Sequence, residues 1–391
     1  MNFSTVMPTY GRNDLVFEKG KGAWLTTTEG RRFLDFGSGI AVTVLGHSHP
    51  HLVSELKGQA DKLWHTSNLY RISGQEKLAG RLVANSFADT VFFCNSGAEA
   101  IECALKIARR FHQAQGAKHK YRVITARGGF HGRTLAAISA GGQEKQLDGF
   151  APKVDGFDQV SFGNLDEARL AITEQTAAMV VEPIQGEGGI VPASVEYLKG
   201  LRALADEFGL LLIFDEVQTG LGRTGKVFAY EWADVTPDIM ALAKGLGGGF
   251  PVGACLATEH AAKFMIAGTH GSTFGGNPLA MAAANAVMDV ILAPGFMDGV
   301  AAAADKLWAK IESLVLKHDM VFECVRGKGM MIGLKCKKTN TVVSAKILAN
   351  GMLTVPAGDN VVRLLPPLTI GDLEIDSAIS ILDKSANELM N

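Results

Sequence analysis

The sequence predicts an α/β protein with a large, mostly parallel sheet, followed by a smaller α+β region. Three observations carry that expectation. Between about residues 50 and 275, short apolar runs alternate with helical segments: TVFFC (90–94), YRVITA (121–126), AAMVVEP (177–183), LLLIFDE (210–216) and GACLAT (253–258). These runs are continuously apolar and do not alternate with polar residues, which suits strands covered on both faces. After Pro294 the pattern changes to a helix around 296–317, strand-like VFECVRGKGMMIGLKC, then VVRLLPPLTI and a final helix.

Taken in order, residues 1–45 read as an arm with a hairpin, because WLTTTEGRRFLDF alternates around a Glu29-Gly30 turn. This segment is expected to pack with the C-terminal region. Residues 46–276 form the large unit. Its helices include AEAIECALKIARRF, with Ile101, Leu105, Ala108 and Phe111 on one face, and VEYLKGLRALADEFG. Residues 277–391 supply a linking Ala-rich helix, NPLAMAAANAVMDVIL, and the smaller unit. At 391 residues and 47% hydrophobic, the chain can bury a large core without staples. Its 38 basic and 40 acidic residues are interspersed, for a net charge of −2, which argues against a nucleic-acid surface or a polybasic membrane patch. The five cysteines never form C-x-x-C, and buried reduced thiols are expected. No N-terminal apolar segment of the secretory kind is present, so a cytosolic protein is expected.

One stretch points in a misleading direction. LLLIFDEVQTGLGRTGKV joins an apolar strand ending in Asp-Glu to a G-x-x-x-x-G-K pattern at Gly220 to Lys226. A phosphate loop needs Ser or Thr after the lysine to hold Mg²⁺, and must run into a helix. Val227 takes that position, and FAYEWADVTPD follows without helical period. The supposed metal-binding Asp lies on the same strand-to-turn unit as the loop. A P-loop nucleotide-binding protein is therefore a poor reading. GLGGG at 245–249 leads to Phe250-Pro251 and not to a helix, so it is no dinucleotide fingerprint either.

The ends of the apolar runs are more informative. TVFFC is followed by Asn95, Ser96, Gly97 and Ala98 at a helix start, where free amides can hold a phosphate; a plain N-cap accounts for the same residues. YRVITA leads into a loop with Phe130 and Arg133, a stacking face and a carboxylate clamp, or equally a core Phe and a surface Arg. AAMVVEP leads to Glu182 and Glu187 around a glycine turn. LLLIFDE leaves Asp215 where the strand stops, and a buried carboxylate calls for a cationic partner. Gln218 follows within reach of the same ligand. Lys244 ends another apolar stretch, where burial lowers an amine's pKa, and the following glycines leave space for a cofactor. Pyridoxal 5′-phosphate uses all of these groups together. It has a phosphate for 96–98, a ring for Phe130, a pyridine nitrogen for Asp215, a phenolic oxygen for Gln218 and an aldehyde for Lys244. The aspartate keeps the ring protonated so that it can accept carbanion electrons.

NSGAEAIECALKIAR, GGFHGRT, VEPIQGEGG, LIFDEVQTGLGRTG, ALAKGLGGGFPVGA and HGSTFGGNPLA occur in this order. With that spacing the chain, from about Tyr10 to Arg363, resembles the class III (ω-amino-acid) pyridoxal-phosphate aminotransferases. SNLYR at 67–71, FHGRT and the compact length look most like the members acting on N-acetylornithine in arginine biosynthesis. Those acting on ornithine, succinylornithine and 4-aminobutyrate are near relatives. The resemblance implies a fold-type I homodimer with shared active sites, in which Thr273 reaches the phosphate bound in the neighbouring protomer. It implies that Lys244 forms the internal aldimine and shuttles a proton, with 2-oxoglutarate as amino acceptor in a ping-pong reaction. It also implies that Arg133 binds the distal carboxylate and Arg363 the α-carboxylate. Glu187 masks Arg363 while the ω-amine is bound, swinging on the glycines around it, and Tyr10 lines the entrance.

Overall fold

The computed structural model describes residues 5–390; the first four residues of the expected arm and Asn391 lie outside the described residues. An antiparallel meander opens the chain: β1 (Phe17–Lys21), β2 (Trp24–Thr27) and β3 (Arg32–Asp35). Gly30 closes the β2–β3 turn at φ 85°, a backbone state that costs glycine little. Asp35, at the end of β3, accepts the amides of Gly37 and Ser38 through Oδ1 and contacts His47 at 2.8 Å through Oδ2.

The central strands are β4 (Thr90–Cys94), β5 (Arg122–Ala126), β6 (Phe157–Val160), β7 (Thr176–Val181), β10 (Leu211–Asp215), β11 (Ile239–Leu242) and β12 (Gly253–Ala257). They form one sheet in the order β4-β12-β11-β10-β7-β5-β6. Only β12 runs against its neighbours; the other pairings are parallel. Between β7 and β10 lies a small antiparallel hairpin, β8 (Ile184–Gln185) and β9 (Val191–Pro192).

The continuous apolar runs have the cause proposed for them. In β10, Leu211 and Ile213 pack into the layer under the helix Gly97–Ala114, whereas Leu212 and Phe214 pack into the layer under the helix Val195–Phe208. Alternate side chains point to opposite faces, so a sheet covered on both sides needs apolar residues at every position. Burying each such side chain contributes roughly 1.5–3 kcal/mol. The parallel strands β5, β7, β10 and β11 all end on one edge, and Asp215 at the end of β10 is in register with Ala241, three residues before Lys244. Open sheets of this kind bind ligands at that edge.

After the helices Pro278–Ile291 and Phe296–Lys317, a second sheet is built from β13 (Phe322–Lys328), β14 (Met331–Cys336), β16 (Val355–Ala357) and β17 (Val361–Leu364), in the order β13-β14-β17-β16. The short strand β15 (Met352–Leu353) leaves this sheet and pairs with β3, joining the two ends of the chain. Four of the five cysteines are buried and unpaired, but Cys324 on β13 is exposed, so the expectation of burial fails there. Its strand has an open face at that position. Among the described residues no single helix is long and apolar enough to cross a membrane.

Candidate active site

At the strand-end edge lies a cavity of about 340 Å³, lined by residues from every loop singled out in the sequence. Ser96, Gly97, Ala98, Phe130, Asp215, Gln218 and Lys244 all face it. Asp215 has the hydrogen-bonding partners that its burial demands: His131 Nδ1 lies 2.8 Å from Oδ2, while Oδ1 accepts the amide of Val217 at 3.0 Å. Burial alone would depress the imidazole's pKa. The bond to Asp215 and the charges of Asp215 and Glu182 raise it above the usual value instead. Each carboxylate oxygen keeps acceptor capacity for a further donor.

Glu182 stands behind this pair. It accepts the amide of Phe130 at 2.9 Å through one oxygen and that of Gly186 at 3.0 Å through the other. Burial first, then the charge of Asp215, pushes it up to about 7. One carboxyl thus ties the loop carrying Phe130 to the loop carrying Glu187.

The helix start at 96–98 serves as both a cap and an amide cradle. Ser96 Oγ accepts the amide of Glu99 at 3.3 Å, and the Glu99 carboxylate takes the amide of Asn95 at 2.8 Å. This is half of a capping box, with the Glu99 carboxylate reaching the residue before the N-cap. It leaves the amides of Gly97 and Ala98, which have no intrahelical acceptor, facing the cavity. Gly97 is needed because a Cβ there would come within 2.7 Å of Val217.

Lys244 follows β11 with φ 39°, a left-handed state that costs a non-glycine residue about 1–3 kcal/mol. Its amine has no hydrogen-bond partner among the described residues. Burial, and then the charge of Arg363, lowers its pKa to about 8, against the opposing pull of Glu187, Asp215 and Glu182. The glycines after it do not make the space expected of them. A Cβ on Gly245 would meet Val44 at 2.7 Å, and one on Gly248 would meet Val287 at 2.8 Å. They admit neighbouring side chains, and of the run 245–249 only Gly249 lines the cavity.

Beside the cavity, Arg363 on β17 is buried and donates from Nη1 to Glu187 at 2.7 Å and to Gln218 at 3.3 Å. Its Nε is buried without a partner. The glycines flanking Glu187 are required by close packing. A Cβ on Gly186 would reach Gln218 at 2.5 Å, on Gly188 the Gly128 carbonyl at 2.8 Å, and on Gly189 the Gly358 carbonyl at 2.6 Å. The amide of Gly358 also donates to the Glu187 carbonyl at 2.8 Å. The turn is wedged against its neighbours, while the Glu187 side chain keeps 29% exposure.

Five expected site residues lie outside the cavity lining: Glu187 and Arg363, which pair beside it, and Arg133, Thr273 and Tyr10. Arg133 is exposed, with its guanidinium 5.6 Å from the centre of the Phe130 ring. Thr273 is exposed on a surface segment, and Tyr10 is 75% exposed. His131 and Glu182 carry more of the site than their sequence context suggested. The available signal was their position, His131 inside FHGRT and Glu182 at the end of β7.

The donor set fits pyridoxal 5′-phosphate. An unpartnered amine, a paired carboxylate, an aromatic face, a side-chain amide and two free helix-start amides converge on one space of suitable size. No group of side chains suited to a metal ion occurs among the described residues.

Comparison with known proteins agrees. The chain is 57% identical over 389 residues to an acetylornithine aminotransferase from Mesorhizobium japonicum, covering 100% of this chain and 98% of that protein. The solved N-acetylornithine aminotransferase from Stenotrophomonas maltophilia superposes with a TM-score of 0.85 at 36% identity, covering 97% of this chain and 98% of the other. A PLP-bound amine transaminase from an uncultivated Pseudomonas species gives a TM-score of 0.89 at 29% identity, covering 99% and 97%. The family model for class-III aminotransferases matches residues 6–385. With the cavity on the strand-end edge and the match running through nearly the whole length, the chain belongs to the class-III aminotransferase family.

Proposed function

We propose that this protein transfers the δ-amine of N-acetylornithine to 2-oxoglutarate, giving N-acetylglutamate 5-semialdehyde and glutamate, a step of arginine biosynthesis. The observation that carries the reading is that the His131-backed Asp215 carboxylate and the unpartnered Lys244 amine face the same cavity. Bound there, pyridoxal 5′-phosphate, the cofactor of this enzyme, supplies an aldehyde carbon for the amine and a protonated ring that accepts the electron pair left when the substrate carbon loses its proton.

The protein's own groups do the rest. Asp215 would face the ring nitrogen and hold a proton there, and His131 orients that carboxylate through its hydrogen bond. Lys244 would hold the aldehyde through its amine, and the free amine would carry the proton taken from the substrate carbon. The amides of Gly97 and Ala98 hold the phosphate, Phe130 covers a ring face and Gln218 binds the phenolic oxygen. Arg363 takes the α-carboxylate of 2-oxoglutarate or glutamate, and Arg133 the distal carboxylate. Glu187 neutralises Arg363 while the amine donor is bound.

The reading includes a homodimer. Trp64, Leu69, Tyr70 and Phe274 are each more than 60% exposed. Asn68 ties their two segments together by donating to the carbonyls of Ser272 and Gly275, both at 2.9 Å. In this reading a second copy covers the apolar surface, and Thr273, exposed beside Phe274, is the residue that would reach the neighbouring phosphate.

The test is direct. Purified protein is expected to be yellow, and borohydride should fix the cofactor to the peptide containing Lys244; a colourless protein with no adduct ends the reading. A panel of N-acetylornithine, ornithine, succinylornithine and 4-aminobutyrate with 2-oxoglutarate ranks the donors by kcat/KM. N-acetylornithine is expected first.

A further inference from the structure

The GLGRTGK stretch performs no phosphate chemistry, yet its arginine is among the most deeply buried charges in the protein. Arg223 is 0% exposed and faces no carboxylate; burial lowers its pKa to about 9, which leaves it charged at neutral pH. Its Nη1 donates to two carbonyls, Met330 at 3.0 Å and Pro366 at 2.5 Å. Its own carbonyl accepts the amide of Met330 at 3.0 Å. Met330 directly precedes β14, and Pro366 follows β17 by two residues. The two strands are paired with Gly333 opposite Arg363. One nitrogen therefore bridges the adjoining ends of the two strands that hold Arg363.

Glycines on both sides serve this contact, Gly222 in the stretch and Gly329 in the β13–β14 turn. A Cβ on Gly222 would meet Leu368 at 2.7 Å, and one on Gly329 would meet the backbone of Thr224 at 2.4 Å. Space that a phosphate loop gives to its ligand is here filled by the β13–β14 turn and by the chain leaving β17. Trp308 holds the same turn by donating from Nε1 to the Gly329 carbonyl at 2.8 Å.

We propose that Arg223 is a positioning residue for Arg363: by pinning the ends of β14 and β17 to the loop after β10, it sets how far Arg363 reaches toward an incoming α-carboxylate. The proposal rests on the reading of Arg363 given above. It commits Arg223 to one half of the reaction only, the half that uses 2-oxoglutarate or glutamate.

The test measures the two half-reactions separately in Arg223→Met, Arg223→Lys, Trp308→Phe and Arg363→Lys, together with the affinity of glutarate for the cofactor-free protein by calorimetry. In Arg223→Met, KM for 2-oxoglutarate is expected to rise at least about tenfold, as a displacement on the order of 1 Å would cause. Glutarate binding should weaken in parallel, while kcat/KM for the amine donor stays within about threefold. Arg223→Lys, which keeps the charge but not the planar fork, should recover part of the loss. Trp308→Phe should shift KM in the same direction by less. Equal losses in both half-reactions, or no change in either, overturn the proposal. If Arg223→Met does not fold, the Lys and Trp308 variants carry the same two outcomes. If Arg363→Lys raises KM for 2-oxoglutarate and the Arg223 variants do not, this inference alone falls. If Arg363→Lys leaves KM unchanged, the reading of Arg363 falls as well.

Discussion

Two contacts of nearly equal length between a carboxylate and a nitrogen base, Asp215–His131 at 2.8 Å and Glu187–Arg363 at 2.7 Å, lie in or beside the same cavity. Their surroundings differ. Both side chains of the first pair are buried, at 4% and 1% exposure, whereas Arg363 is 1% exposed and Glu187 29%. Separating the first pair would strand a buried charge, at a cost of about 3–5 kcal/mol. Separating the second lets Glu187 turn to water, and leaves Arg363 needing another anion. The geometry thus gives a permanent contact at the cofactor end and an exchangeable one at the substrate end. An enzyme whose cofactor stays while its substrates alternate needs both.

The sharpest break comes from Lys244→Ala, which removes the group both ends serve. Turnover is expected to fall by roughly a thousandfold or more, with cofactor still held non-covalently, checked by single-turnover absorbance and by dialysis. Asp215→Asn tests the permanent pair. It should lose on the order of a hundredfold to a thousandfold in kcat for every amino donor alike, because the ring nitrogen no longer faces a charge. Glu187→Gln tests the exchangeable pair and should be selective. The ratio of kcat/KM for N-acetylornithine to that for glutamate is expected to drop about tenfold, or ~1.4 kcal/mol, in stopped-flow half-reactions.

The smallest effect is a pH dependence. Lys244 must be unprotonated to take an aldehyde, and burial with Arg363 lowers its pKa to about 8. Cofactor uptake by the cofactor-free protein should rise roughly fivefold from pH 7 to 8 and flatten above about pH 9, where an ordinary lysine at ~10.4 would still be climbing. Replacing Arg363 with Met should move that midpoint upward.

Much of this was legible in the chain itself. Runs such as LLLIFDE announce a sheet covered on both faces, because period-2 geometry leaves no exposed position for a polar residue. Asp215, Lys244, Gln218 and Phe130 were found because each follows an apolar run, where a polar group has a reason to be. The strand β6, FDQV, carries polar residues at the sheet edge and gives no such signal. The glycines were harder. In sequence, Gly186, Gly188 and Gly189 suggest freedom, and GLGGG suggests space for a ligand. Whether a glycine bends or merely admits a neighbour depends on contacts far along the chain, such as Gly189 against Gly358 or Gly245 against Val44. Arg223 was hidden for the same reason. Its partners are carbonyls more than 100 residues away, and carbonyls have no identity in a sequence.

The wedged turn at 186–189 has a consequence for timing. If only a rotamer of Glu187 changes when one substrate replaces the other, the alternation waits on breaking one ion pair with Arg363, not on the microsecond-to-millisecond motion of a lid. Choosing between a terminal amine and an α-amino acid then places no lid-opening ceiling on the turnover rate.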